Sequence, residues 1–162
     1  MEHITQKRLK ELLCYDKGGL YWKVTNGPRG KAGSLAGVIN SHGYRCITVD
    51  MKQYRSHRLI WLYHYGYLPK YIDHKYGKEI GDYLWNLREC TAAQNGANQR
   101  LGKSNTSGYK NVIWSKKSKR WLVRIKKNRK DHHIGSYVNI LDAAKAAAEA
   151  RIKLHGKFSN NG

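Results

Sequence analysis

The organisation of the chain turns on one segment, Tyr71-Ile-Asp-His-Lys-Tyr-Gly-Lys-Glu-Ile-Gly-Asp-Tyr-Leu-Trp-Asn-Leu-Arg-Glu-Cys-Thr-Ala-Ala-Gln-Asn95. Asp73, His74, Asn86 and Asn95 are its candidates to hold a cation or handle a proton. Tyr71-Ile-Asp-His74 reads as a short strand, in which successive side chains point to opposite faces. Lys75 to Trp85 reads as a loop or a second strand. Asn86 to about Arg100 reads as a helix carrying Leu87, Cys90 and Gln94.

Outward from this segment, the upstream chain shows changing hydrophobic periods. Thr5 is a helix cap before Leu9, Leu12 and Leu13, and Asp16-Lys-Gly-Gly19 ends that helix with residues that tolerate positive φ. Leu20–Val24 reads as a strand and Asn26-Gly-Pro-Arg-Gly30 as a turn or loop. The run from Gly37 to Val49 has two β-rich pieces flanking Ser41-His-Gly43, a hairpin signal. From Ser56, read as a cap, Leu59, Ile60, Tyr63 and Tyr67 take helical spacing until Gly66 and Pro69 break it.

Downstream, Leu101-Gly-Lys-Ser-Asn-Thr-Ser-Gly108 is small and polar, the composition of a tether. Beyond it Trp121, Val123 and Ile125 alternate with Leu122, Arg124 and Lys126, a strand with one apolar and one basic face. Asn128-Arg-Lys-Asp131 reads as the following turn. Asn139 caps a helix rich in alanine from Ala143 to Ala150, whose small side chains allow close packing on a sheet.

The charge narrows the partners. Lys and Arg number 31 against 11 acidic residues in 162, a net +20. Such an excess destabilises a compact chain by self-repulsion unless a polyanion neutralises it in use, which points to nucleic acid. Residues 101–162 hold 15 of the basic side chains and 3 of the acids, so this third is the stronger electrostatic clamp. Tyr109, Trp114 and Trp121 interrupt its basic run, which therefore reads as a folded surface rather than a disordered tail.

Cys14, Cys46 and Cys90 are odd in number and lack a C-x-x-C pair, which argues for a reduced cytoplasmic setting and against structural zinc. No apolar run approaches membrane-spanning length, so no membrane partner is expected. The sequence calls for no obligate protein partner, and a monomer is expected.

Hydrolysis of a phosphodiester needs an activated water, neutralised phosphate charge and a stabilised leaving oxygen, and a divalent ion can supply the last two. His74 is the candidate general base, because an ordinary imidazole is mostly neutral at pH 7. Asp73 offers an anionic oxygen and Asn95 a neutral one, a set that suits one Mg²⁺ ion, with Mn²⁺ as the alternative. Asn86 is placed to orient His74. His57 and His64 have aromatic neighbours that favour packing in the core, and neither enters the catalytic set. The pair His132 and His133 is read as structural, since adjacent strand residues face opposite ways.

The residues His57-Arg-Leu-Ile-Trp61, Ile72-Asp-His74, Asn86-Leu-Arg88 and Gln94-Asn95 together resemble the HNH endonucleases of the ββα-metal superfamily, in particular phage and intron-encoded homing endonucleases. The resemblance implies that His74 is the base, that Asp73 and Asn95 hold the single metal, and that Asn86 braces the histidine loop. It also implies products with 5′-phosphate and 3′-hydroxyl ends. The loop departs from the family pattern, with Tyr76 in place of an Asn and Gly81-Asp82 in place of Asp-Asn.

In the last third, Ser107-Gly-Tyr-Lys-Asn-Val112, Trp114, Lys119-Arg-Trp121, Ile125, His133-Ile-Gly-Ser-Tyr137 and Asp142-Ala-Ala144 resemble the Apetala/ethylene-response-factor type of DNA-binding domain. That resemblance implies a sheet laid in the major groove, with Lys110, Arg124 and Lys126 reaching DNA. Arg58, Trp114, Lys116 and Arg120 are further surface candidates.

The expected fold class is α+β. An N-terminal ββα-metal HNH nuclease domain with accessory strands and helices spans 1–100, followed by a linker over 101–107. An Apetala/ERF-like domain over 108–158, a small three-stranded antiparallel sheet packed on one helix, precedes a tail over 159–162. The expected function is metal-dependent, site-specific nicking of double-stranded DNA by a homing-type enzyme, acting in the host cytoplasm if phage-encoded. The alternatives are a catalytically weakened DNA-binding regulator on an HNH scaffold and an RNA-binding basic protein.

Overall fold

The computed structural model describes residues 4–28, 30–102, 104–128 and 130–160. Arg29 in the 26–30 turn, Lys103 in the linker, Arg129 in the 128–131 turn and the last two residues of the tail lie outside them. The chain is mixed α/β, with several small antiparallel sheets and four α-helices among the described residues. It divides into two compact units, Met1–Cys90 and Thr91–Gly162.

In the first unit, α1 (Gln6–Leu12) begins where the Thr5 hydroxyl accepts a bond from the Arg8 N–H. The helix ends well before the expected stop at Asp16-Lys-Gly-Gly19, because Leu13 opens β1 (Leu13–Asp16), which pairs with β2 (Gly19–Trp22). Lys17 and Gly18 both take positive φ in the two-residue turn between them, the handedness that matches the twist of the paired strands. A three-stranded sheet follows, built from β3 (Val38–Ile39), β4 (Arg45–Val49) and β5 (Lys52–Arg55).

Helix α2 (Ser56–Tyr65) stops at Gly66, whose left-handed conformation directs its N–H back to the Leu62 carbonyl. Its buried face, Leu59, Ile60 and Leu62, packs with Leu9, Leu13, Leu20 and Ile47 into one apolar core. The two strands β6 (Tyr71–His74) and β7 (Leu87–Cys90) form a separate antiparallel pair, with Asp73 opposite Arg88 and His74 opposite Leu87.

β7 corrects the expected helix from Asn86 to Arg100. Leu87 and Cys90 are the two buried ends of a four-residue strand, and only the chain beyond Thr91 is helical. Helix α3 (Ala92–Asn98) starts at a reciprocal capping box, in which Thr91 and Gln94 satisfy each other's backbone N–H groups.

In the second unit, β8 (Val112–Ser115), β9 (Arg120–Lys127) and β10 (Lys130–Tyr137) form a sheet of order β10-β9-β8. Helix α4 (Ile140–His155), capped by Asn139, lies on it. Val112 and Val123 meet Ala143 and Ala147, where only small helix side chains permit so close an approach. α3, which the 1–100 boundary assigned to the first domain, belongs to this second unit. Lys110 Nζ bonds the Ala97 carbonyl at 3.0 Å and that of Gln99, and Asn160 Nδ2 bonds the Asn98 carbonyl at 2.9 Å, so the end of α3 is tied to later residues.

Candidate active site

His74 ends β6, where strand alternation turns it to the face opposite Asp73. Its ring is buried, and Nε2 lies 2.8 Å from Asp82 Oδ1. His57, in the first turn of α2, meets the His74 ring edge-on with centroids 5.0 Å apart. Ligand atoms of His57, His74 and Asp82 all lie within 4.8 Å of one another, a group that could hold a metal ion.

Burial pushes the His57 imidazole down to about 4, with the Asp82 charge opposing that shift and His74 adding to it. His57 is therefore neutral at pH 7, the form in which an imidazole binds a metal. For Asp82, burial is the largest influence and would raise the carboxyl. The hydrogen bond with His74 and the charges of His57 and His74 outweigh it and hold the group below its ordinary range. An ionised carboxylate facing two imidazoles can orient a base or bind a cation.

The loop that carries Asp82 is built around Asn86, whose side chain is fully buried. Its Oδ1 accepts from the Tyr76 N–H at 3.0 Å, and its Nδ2 donates to the carbonyls of Gly77 at 3.1 Å and Gly81 at 2.9 Å. One amide thus pins the loop at three points. Gly77 and Gly81 have φ of 95° and 103°, and both turn their carbonyls toward Asn86 in conformations that a side chain would strain.

The other expected site residues are distributed differently. Asp73 is buried and paired with Arg88, whose Nε and Nη2 lie 2.8 and 2.7 Å from Asp73 Oδ2. Asn95 sits half-buried on α3 in the second unit. Arg58 donates to the carbonyls of Pro69 and Lys70, holding the chain that leads into β6.

In the second unit, Arg120, Arg124 and Lys126 are exposed on the sheet face opposite the core residues Val123 and Ile125. Lys116 is exposed in the turn between β8 and β9. One expectation is corrected there. Lys110 is committed to backbone carbonyls, those of Ala97, Gln99 and Asn160, and burial lowers its ammonium to about 8. Trp114 is 43% exposed on the same face as Val112, with its ring against Trp121 at a centroid distance of 4.9 Å, a surface aromatic on the face away from Arg120, Arg124 and Lys126.

Neither His57, kept out of the catalytic set on sequence grounds, nor Asp82, met there only as a departure from the family's loop pattern, is assigned to the site from sequence. The signal for His57 was present, since it precedes Ile60 and Trp61 by three and four positions and so shares their buried helix face. Asp82 left no comparable mark, because a loop has no period.

Residues 54–97 match the HNH endonuclease family. Over 107 residues, covering 65% of this chain and 88% of the relative, the chain is 36% identical to Protein 3.8 of Escherichia phage T7. No solved structure matches. The segment 54–97 contains His57, His74, Asp82 and Asn86, so the buried polar cluster and its brace lie wholly inside the family's domain. This chain belongs to the phage protein family that includes Protein 3.8, and it carries an HNH endonuclease domain.

Proposed function

We propose that the protein is a DNA endonuclease of the homing type that nicks one strand, hydrolysing a phosphodiester to 5′-phosphate and 3′-hydroxyl ends. The observation that carries this reading is the pair of buried His74 and half-buried Asp82, 2.8 Å apart and joined by a loop that Asn86 fixes at three points. With Asp82 ionised, the proton of the pair resides on His74 Nε2, which leaves Nδ1 as the basic atom. Nδ1 takes a proton from water as its oxygen bonds to phosphorus, and the bond from phosphorus to the 3′-oxygen breaks. The 3′-oxygen takes a proton from solvent water as it leaves, and the phosphate stays on the 5′ end. One such centre in a monomer cuts one strand per encounter.

A divalent ion supplies charge to the phosphate and to the leaving oxygen. Asp73 and Asn95, the oxygen donors that the family resemblance assigns, suit Mg²⁺. A second donor set is favoured by a specific observation: the convergence of neutral His57, His74 and ionised Asp82 within 4.8 Å. Two imidazoles and a carboxylate suit Mn²⁺ or Zn²⁺ better than Mg²⁺. Occupying that set takes His74 out of service as a base, so the two readings exclude each other. Equilibrium dialysis with Mn²⁺ separates them, since loss of binding in His57→Gln selects the histidine set and loss in Asp73→Asn or Asn95→Ala selects the oxygen pair.

The exposed Arg120, Arg124 and Lys126, with Lys116 in the adjoining turn, are proposed to hold double-stranded DNA on the outer sheet face, as in the Apetala/ERF-type arrangement. No membrane or obligate protein partner is invoked. The chain acts in the cytoplasm of a phage-infected host, and the gene's flanking DNA is the first substrate to try. Supercoiled plasmid carrying that DNA, incubated with Mg²⁺ or Mn²⁺, should yield open circles with wild-type protein and none with His74→Ala. Equal cutting by both would remove His74 from the mechanism.

A further inference from the structure

The loop between β6 and β7 carries an aromatic surface that the proposed hydrolysis does not use. Tyr76 is 64% exposed, Trp85 56% and Tyr83 36%. Trp85 and Tyr83 are stacked, with centroids 5.5 Å apart and planes at 21°, and Tyr76 lies 6.2 Å from Trp85 at 47°. Exposed aromatic rings gathered in one place lose apolar burial for no folding benefit, which marks a surface for a partner.

The rings are held in place from behind. Tyr83 packs over Gly18 in the β1–β2 turn, where an added Cβ would come within 3.0 Å of the Tyr83 ring. Leu84 and Asn86, on either side of Trp85, point inward, and the Trp85 carbonyl is fixed by Lys75 Nζ at 2.8 Å. The Tyr76 N–H is bonded to Asn86. The backbone that presents the aromatics is thus the same backbone that holds Asp82 beside His74.

The charge around the rings selects the partner. Lys75 and Lys78 lie in the same loop, with Nζ donated to the carbonyls of Trp85 and His42 respectively, on a chain whose net charge is +20. Flat exposed rings on so basic a chain match a nucleobase, because every base offers a π-face and the excess positive charge draws the phosphate backbone. Bases inside an intact duplex have no free face to offer.

We propose that Trp85, backed by Tyr83 and flanked by Tyr76, is a stacking platform for an unpaired or unstacked DNA base beside the scissile phosphate. This rests on the nuclease reading and extends it, because it gives the site a preference for single-stranded or locally opened DNA.

Full-length protein with a fluorescein-labelled 20-mer of thymidylate and with a 20-base-pair duplex, followed by anisotropy at fixed salt, tests it. Trp85→Ala should weaken single-strand binding by about 5- to 150-fold, the range for one base stacked on an aromatic ring. Duplex binding should change by less than about twofold, and Trp85→Phe should restore most of the loss. Tyr76→Ala, which removes the exposed flanking ring, should act in the same direction but more weakly. Unchanged single-strand affinity, an equal loss for both DNAs, or a patch that instead mediates self-association by light scattering would each overturn the proposal. If His74-dependent nicking persists in that case, the platform alone has failed. If wild-type protein neither binds nor cuts DNA, the nuclease reading has failed with it.

Discussion

Each unit of the chain buries polar side chains, and they do so to different ends. In the first, His57, His74 and Asp82 turn their functional atoms toward one another. In the second, Lys110 and Arg151 turn theirs toward the backbone. Lys110 caps carbonyls at the end of α3, while Arg151 Nη1 lies 2.6 Å from the Lys110 carbonyl and 3.4 Å from Asn111 Oδ1. A carbonyl cannot exchange a proton or change its charge, so a cation spent on it does architecture. Imidazoles facing a carboxylate can do both, which makes their mutual burial a chemical arrangement. Burial of a polar group alone therefore does not distinguish a site from a brace, whereas the identity of its partner does.

The sharpest way to break this comparison is at His74. Replacing it with alanine should lower the nicking rate by about 10²- to 10⁴-fold, the range for removing a general base, with little change in DNA affinity. Open-circle formation under single-turnover conditions measures it. If the rate is unaffected while Asp82→Asn is inactive, the pair has been read in the wrong direction.

Asn86 comes next, because it belongs to the first unit yet acts as a brace. Asn86→Ala leaves the Tyr76 N–H and the carbonyls of Gly77 and Gly81 without their partner. Two to three lost bonds at about 1 kcal/mol each put the cost near ~3 kcal/mol of stability. Chemical denaturation gives that number. Nicking should fall at temperatures where the variant is still folded, because Asp82 no longer has a fixed loop.

The strands and helices around these residues were legible to different degrees, for physical reasons. α2 and the β9–α4 pattern could be read because a half-buried strand or helix repeats its apolar residues at its own period, whereas β6, buried at Ile72, Asp73 and His74 alike, has none. The error at β7 arose because Leu87, Cys90 and Gln94 fit helical spacing, while the pairing of Leu87–Cys90 with Tyr71–His74 is a non-local contact that no window displays. Thr91 and Gln94, a capping box in plain sequence, marked the true helix start. Within the site, His74 and Asn86 stood out by residue type and order. Asp82 did not, since its approach to His74 depends on a loop shape that Asn86 creates. The commitment of Asp73 to Arg88 was also invisible, because it follows from cross-strand register. Lys110 failed for the same class of reason: its carbonyl partners at Ala97, Gln99 and Asn160 are distant in sequence.

His57 sharpens the comparison through pH. Burial holds its folded-state value at about 4, below the 6.5 of an exposed imidazole. Between these values the unfolded chain binds more protons than the folded one, so stability falls as pH is lowered from 6.5 through 4 and is fully present above 6.5. The loss from this group is on the order of 2–3 kcal/mol. Urea midpoints taken in EDTA across that window should show it, and His57→Phe should flatten this part of the curve. An unchanged slope in the variant would mean that His57 is protonated in the fold and unfit for the metal set.

The smallest effects compare two cations of the second unit, Lys110 and Arg124. Arg124 is exposed on the outer sheet face, whereas Lys110 is spent on carbonyls. If the outer face holds phosphates, Arg124→Ala should reduce the slope of log affinity against log salt by about 0.9, the contribution of one phosphate contact, with no loss of thermal stability. Lys110→Met should do the reverse, costing about 2 kcal/mol through its lost carbonyl bonds and leaving the salt slope alone. Anisotropy titrations at several salt concentrations, paired with thermal melts of both variants, separate the two effects. A salt slope that drops for Lys110→Met would show that a cation can cap a helix and serve DNA at once, and partner identity would then cease to divide architecture from function in this unit.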